Sequence, residues 1–544
     1  MPPPLEHALS EELLDCILSY CDQPTLAAVC RTCSTLSRIA TPHLWSRICL
    51  TTTARHRGAV KYLLPLAYAV FSSPGKAAAV RYVAVPEGWG APEAYEDDDT
   101  RRPWPVRGAE LEGVLRGKCE EYAVDEEEAE ELSAAVSEGY EEVVMALFVA
   151  NLPCLRSLDV NFEMLDTQNN FSAMLRSVGK AIKPFDRAPA ATLATGPSRQ
   201  VSSFTTPLTV MTREGYKRDP NQPGNLACFF HLPNLDRIYA WMMGDNEEIY
   251  AHGSPLYMDL APRSCPVQSI ELRCSRLRDR NLKLLINATV PGRLTSFSYE
   301  IGPTWARWCT VDHHAIVASL SAHFETLKHL CLSHEDDYPY KLGYDADKPV
   351  AVSFTQFHRL QRLKIAPVYV WGHEGVVVAN EFRQSGAKDV LWRALPRSLQ
   401  QLWVTRAMQP FPSPAWAVDV NFVPDCLLPA LHCVVERKRE MFPDLTSLRI
   451  EFSIREWKEE WLDMLAAFCE KAAANDIACT VICANDKGRY HGHRVERNWG
   501  WDEDVEWDSC IHNQERPKRW IDVGTEQNLV ETLRATKKQI EENN

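Results

Sequence analysis

Leu152-Pro153-Cys154-Leu155-Arg156-Ser157-Leu158-Asp159-Val160 sets a phrase that returns along the chain. It comes back as Leu232-Pro233-Asn234-Leu235 with Ile238, as Phe324, Leu327, Leu330 and Leu332, and as Phe357, Leu360, Leu363 and Ile365. Phe442-Pro443-Asp444-Leu445 with Leu448 and Ile450 repeats it once more, and Leu399, Leu402 and Val404 form a variant. The last two apolar residues of each copy stand two apart, which places them on one face of a strand because strand side chains alternate. At 45% hydrophobic content three apolar positions alone recur by chance in about one window in eleven. The leucine or phenylalanine three positions further ahead, present in five of the six copies, lifts the phrase above that background.

Val267 with Ile270 and Leu272, and Leu294 with Phe297 and Tyr299, are weaker members. Counted at 235, 267, 294, 327, 360, 399 and 445, the copies follow one another at intervals of 27 to 46 residues. The longer step from 155 to 235 leaves Val201–Phe204 as a possible intermediate copy. Helical periodicity fills the gaps at Asp279 to Ala288, His313 to Phe324 and Trp461 to Ala473. Strand and helix therefore alternate, and each short strand can bury its apolar side only by stacking beside the next. The expected fold class is α/β: a small all-α module at the N-terminus, then an irregular solenoid with a curved parallel sheet. A doubly wound α/β domain has the same alternation, but no glycine-rich phosphate loop marks a nucleotide site.

The residue between the last two apolar positions points to the sheet's other, concave face. That row reads Asp159, Tyr239, Glu271, Ser298, Cys331, Lys364, Trp403 and Arg449. Tyr239, Lys364, Trp403 and Arg449 are its candidates for contact with a protein target, since tyrosine, tryptophan and arginine dominate interface hot spots. Loops covering the face are the competing expectation.

The N-terminal stretch has a different period. From Ser10, Leu13, Leu14, Ile17, Leu18 and Cys21 recur at helical spacing after a capping serine and two acids, Glu11 and Glu12. Asp22-Gln23-Pro24 breaks this helix and starts a second, carrying Leu26, Val29, Cys30 and Cys33. Leu36, Ile39, Leu44, Trp45 and Ile48 continue across Thr41-Pro42, where proline predicts a boundary between short helices. Fifty residues bury too little surface to be secure alone, so the apolar excess implies a partner or a neighbouring domain.

In order and spacing, Leu9-Ser10-Glu11-Glu12-Leu13-Leu14, Ile17-Leu18-Ser19-Tyr20, Leu26, Val29-Cys30-Arg31, Leu36 and Leu44-Trp45-Ser46-Arg47-Ile48 resemble the F-box. Ser10 stands where that family usually has proline, and Cys33 where tryptophan is common. The resemblance implies docking onto a Skp-type adaptor, and through it onto a cullin ubiquitin ligase. It carries the contact role to Leu9, Leu13, Leu14, Ile17, Leu18, Leu26, Val29 and Trp45. The later repeats are similar to the degenerate leucine-rich-repeat domain that follows the F-box in fungal and other eukaryotic substrate receptors. The expected organisation is an F-box at 5–50, a connecting region at 51–140, a leucine-rich-repeat-like solenoid at 141–524, and a C-terminal helix and tail at 525–544.

Composition narrows the partners. The 544 residues carry 59 basic and 73 acidic side chains, a net charge of −14. Such an excess repels phosphate backbones and anionic headgroups, so neither nucleic acid nor membrane is the expected partner. Acidic runs at Glu96 to Asp99 and Asp125 to Glu131 read as solvated segments. Met1-Pro2-Pro3-Pro4 lacks the pattern of a signal peptide, which predicts a cytoplasmic or nuclear protein whose 18 cysteines stay reduced. Cys30-Arg31-Thr32-Cys33 has no second pair at zinc-binding spacing. His313-His314 and His491-Gly492-His493 lack a helix-spaced carboxylate partner, and no GxSxG elbow occurs. The expectation is a non-catalytic binding protein with no cofactor and no metal. Trp499 to Asp508, rich in tryptophan and acid, reads as a loop docked over the last repeat, with a recognition patch for a basic peptide as the alternative.

Overall fold

The computed structural model describes residues 9–50, 63–85, 109–123, 125–138, 140–161, 207–213, 226–241, 243–244, 260–301, 312–334, 351–377, 387–405, 422–453, 460–484 and 520–522. The expected intermediate at Val201–Phe204, the 499–508 stretch and the 525–544 helix lie outside them. Two compact units divide the chain. The first holds Met1–Tyr216, Gly224–Ile238 and Ser509–His512, and the second Lys217–Pro223, Tyr239–Asp508 and Asn513–Asn544.

The first unit opens with three helices, α1 (Glu11–Ser19), α2 (Gln23–Val29) and α3 (Ser34–Ser46). Ser10 occupies the N-cap position of α1 in extended conformation, yet its side chain makes no cap hydrogen bond. The two first-turn glutamates carry the favourable charge at that end instead. Asp22 does cap α2, accepting from the Thr25 amide at 2.8 Å. Pro42 does not divide the third helix, which runs through it to Ser46. Packing of Ala40 and Leu44 into the module's core outweighs the interior-proline cost of about 3 kcal/mol.

Four parallel strands follow in the same unit: β1 (Arg47–Cys49), β2 (Tyr82–Val85), β3 (Ser157–Asn161) and β4 (Leu208–Arg213), paired in chain order. The helices α4 (Leu63–Phe71) and α5 (Pro74–Ala79) lie between β1 and β2 in the chain. Three more, α6 (Ala109–Tyr122), α7 (Glu126–Glu138) and α8 (Glu141–Ala150), precede β3. All ten residues of α8 are buried, as its run Val143-Val144-Met145-Ala146-Leu147-Phe148-Val149 demands.

β5 (Leu235–Trp241) spans Ile238 and Tyr239, where the chain passes to the second unit. There β6 (Ser269–Ser275), β7 (Ser296–Ile301), β8 (His329–His334), β9 (Arg362–Ile365), β10 (Gln401–Val404), β11 (Ser447–Ser453) and β12 (Ala478–Ala484) pair side by side, all parallel. β13 (Trp520–Asp522) closes the edge antiparallel to β12. Each parallel step needs a crossover, and among the described residues helices supply all of these but the β8–β9 one: α9 (Asp279–Ala288), α10 (His313–Ser319) with a short 3-10 turn, α11 (Val368–Val377), α12 (Ala387–Ala394), α13 (Leu428–Glu436) and α15 (Glu460–Ala473), the short α14 (Lys438–Met441) preceding β11. Gly372 breaks α11 at φ +67°, a conformation open to glycine.

Paired apolar positions stack in register, Phe297, Leu330, Leu363, Leu402 and Leu448 in one row and Tyr299, Leu332, Ile365, Val404 and Ile450 in the next. All ten are buried. The lead-in residue stacks as well: the Phe324 and Phe357 rings meet edge to face with centroids 4.7 Å apart. From β7 to β11 each strand starts the same way, with one carbonyl accepting two successive amides at the start of the next strand. Thr295 accepts from Lys328 (2.8 Å) and His329 (3.0 Å), Lys328 from Gln361 (2.8 Å) and Arg362 (2.9 Å), and Gln361 from Gln400 (2.8 Å) and Gln401 (2.9 Å). No helix among the described residues is long and apolar enough to cross a membrane.

Candidate functional site

The first helix, α1, carries apolar residues on two stripes. Leu14 and Leu18, four apart, are 2% and 5% exposed and form a small core with Leu26, Ile39 and Ala40. Leu9, Val29, Leu36 and Leu44 pack against that core and are partly buried. Leu13 and Ile17 are also four apart but rotated by one residue, and they remain 54% and 50% exposed; Tyr20 extends the stripe at 86%. A helix places residues at i and i+4 on one face, so the outer three form a continuous apolar strip in water. Two polar links hold α1 against α3: Arg38 donates to Glu11, and His43 Nε2 lies 2.7 Å from Asp15 Oδ1. Both pairs are exposed enough to orient the helix more than they stabilise it.

Residues 11–51 match the family model described as F-box-like. The N-terminal module is an F-box-like domain. No curated protein matches the chain. Of the eight residues to which the F-box resemblance assigns adaptor contact, Leu13 and Ile17 face outward, while Leu14, Leu18 and Leu26 lie in the domain's own core. Leu9, Val29 and Trp45 are half-buried, and the Trp45 ring carries the Lys76 ammonium 5.0 Å from its centroid. Tyr20, which the sequence reading left out of the contact set, is the most exposed large apolar residue described. A helical wheel could have found it, since it follows Ile17 by three.

The second unit gathers three of the four candidate target residues. Lys364, Trp403 and Arg449 are register partners on adjacent strands β9, β10 and β11. The Lys364 ammonium sits 3.5 Å from the Trp403 ring centroid and the Arg449 guanidinium 5.3 Å from it, a cation–π cluster. Lys364 is 0% and Trp403 3% exposed, so these two lie beneath the surface and only Arg449 is half-exposed. Tyr239, on β5, is 8% exposed. Burial pushes the Lys364 pKa down, and the Glu451 carboxylate partly offsets it. Nearby, Arg273 contacts Glu271 at 2.7 Å and Glu300 at 3.7 Å, and these neighbours keep it charged against the opposing effect of burial.

The face is graded. Lys364, Trp403 and the Glu300 and Glu451 carboxylates are enclosed, whereas Ser269, Ser296, His329, Arg362, Gln401 and Ser447, at the first residue of each strand, are half-exposed. Among the described residues of this face, exposure gathers at the edge where the strands begin, with Glu271 and Arg449 also half-exposed further along. A cleft of about 680 Å³ between α6 and α7 is walled by Arg116, Glu120, Asp125, Glu126 and Glu130, without histidine or cysteine. Among the described residues no group of three or more histidine, cysteine or acidic side chains is placed to hold a metal ion.

Proposed function

We propose that the chain is the substrate-recognition subunit of a Skp-cullin-F-box type ubiquitin ligase. The F-box-like domain docks a Skp-type adaptor through Leu13, Ile17 and Tyr20, and the second unit holds a protein target. The observation that carries this reading is the outer stripe of α1: three large apolar side chains left in water by a domain that has already filled its core with Leu14 and Leu18. The repeated order of leucine or phenylalanine lead-in, strand and crossover supports a degenerate leucine-rich-repeat-like solenoid of the kind carried by fungal F-box receptors. Catalysis in such an assembly is proximity: the bound target's lysines are presented to a ubiquitin-loaded enzyme, and this chain supplies no reacting group. Its place of work is the cytoplasm or nucleus.

Size-exclusion chromatography of the purified chain with a Skp-type adaptor tests the docking step, beside a Leu13→Asp, Ile17→Asp variant. The intact chain co-elutes and the variant, folded as judged by its thermal melt, does not. An intact, folded chain that elutes apart from the adaptor defeats the reading and leaves the second unit as a scaffold in its own right.

A further inference from the structure

In a chain of net charge −14, one edge of the second unit is basic. Arg293 stands three residues before β7, Lys328 one before β8, Arg359 three before β9 with Arg362 opening that strand, and Arg397 four before β10. Arg293, Lys328, Arg359 and Arg397 are exposed and Arg362 is half-exposed. Among the described residues none of the five forms an ion pair with an acidic side chain; Arg397 donates only to the backbone carbonyl of Glu440, at 3.2 Å. The acid within the same run, Glu325, is engaged by His358 at 3.5 Å. At β11 the row ends, with Asp444 three residues before the strand, where β7 and β9 have arginine.

In this ledge of strand starts, the amides of Lys328 and Arg362 belong to the paired bonds that fix the strand starts to the preceding strand, and Arg293, Arg359 and Arg397 stand in the short turns that lead into those starts. Neighbouring strands are about 4.8 Å apart, and the step from β7 to β10 therefore spans about 14 Å. An extended peptide advances about 3.3 Å per residue, so four or five residues laid along the ledge match its length. We propose that this ledge binds a short acidic segment of the protein target, carboxylate against guanidinium. The inference rests on the receptor reading and names the chemistry of its target. A long polyanion fits less well, because the negative remainder of the chain repels whatever extends beyond the row.

Fluorescence anisotropy with labelled octaglutamate tests the ledge on the full chain alone, without adaptor. Octalysine and an eight-nucleotide single-stranded DNA are the comparison probes. Octaglutamate is expected to bind, to weaken as salt rises, and to lose at least about tenfold in affinity with Lys328→Glu, Arg359→Glu, both exposed positions. The neutral pair Lys328→Gln, Arg359→Gln is expected to fall between, with an unchanged melt. Equal binding by intact chain and both variants overturns the proposal, and so does DNA binding as tight as that of octaglutamate. Because adaptor co-elution is measured separately, octaglutamate binding without adaptor binding supports the ledge while removing the ligase reading, and the converse overturns the ledge alone.

Discussion

Leu13 and Ile17 are to be replaced together by alanine, and separately Leu14 and Leu18, two pairs on one helix that differ by a one-residue rotation. Burying a whole leucine or isoleucine side chain is worth about 1.5–3 kcal/mol. With 54% and 50% of the outer pair still exposed, an adaptor covering them gains about 1 kcal/mol from each, or about 2 kcal/mol together. Calorimetric titration of a Skp-type adaptor should then show a dissociation constant weakened about 30-fold for the outer pair, with the melt unchanged. The inner pair lies in the core, where each leucine-to-alanine change costs about 2–5 kcal/mol, so its domain should unfold before any binding is measured. Full-strength binding by the outer variant, or undiminished stability of the inner one, would refute the assignment of the two stripes.

Stability is expected to fall on mild acidification through His313. Burial lowers its pKa to about 3, its ring lying 4.4 Å from that of Tyr369, whereas an unfolded histidine titrates near 6.5. Between those values the unfolded chain takes up a proton that the folded chain refuses, so stability is full above about 6.5 and declines as pH drops toward 3. The slope is at most about 1.4 kcal/mol per pH unit for this one group. Urea unfolding at pH 7 and pH 5 should show the decline in the intact chain and a smaller one in His313→Phe, and identical slopes would contradict it. Thiol labelling supplies another check, since burial pushes Cys119 up to about 11 and Cys265 up to about 12 while Cys16 and Cys49 are exposed. At pH 8 a thiol of pKa 11 is about one part in a thousand thiolate. Iodoacetamide followed by peptide mass mapping should mark Cys16 and Cys49 ahead of the other described cysteines, and prompt labelling of Cys265 would show that its site opens.

How much of this was legible depended on landmarks. Where a leucine or phenylalanine led each strand, as at Leu152, Phe357 and Phe442, the strands fell at the expected places, and α9 matched its helical period from Asp279 to Ala288. Of the strands without that lead-in, β6, β7 and β10 were still legible from their apolar pairs, whereas β4 and β12 were not. In β4, Pro207 occupies the position corresponding to Leu155, so nothing announced the strand at Leu208. In β12, Asp476 stands where Leu445 does one strand earlier, at φ +56°, and the neighbouring Ile477 fills the core instead. The F-box-like domain was readable because its apolar landmarks keep fixed spacing, but which of them look outward was not. Leu13 and Leu14 are chemically identical in the sequence, and only the docking of α1 on α2 and α3 decides that one enters the core. Lys364 and Trp403 were likewise placed correctly on their strands, yet alternation assigns a face and says nothing of what covers it.

The most direct test of the receptor reading is reconstitution of the chain with a Skp-type adaptor and a cullin, with the mass of the eluted complex read by light scattering. One copy of each in a single complex is the expected result. A complex that contains the adaptor but excludes the cullin would contradict it and make the chain a non-degradative F-box-like scaffold.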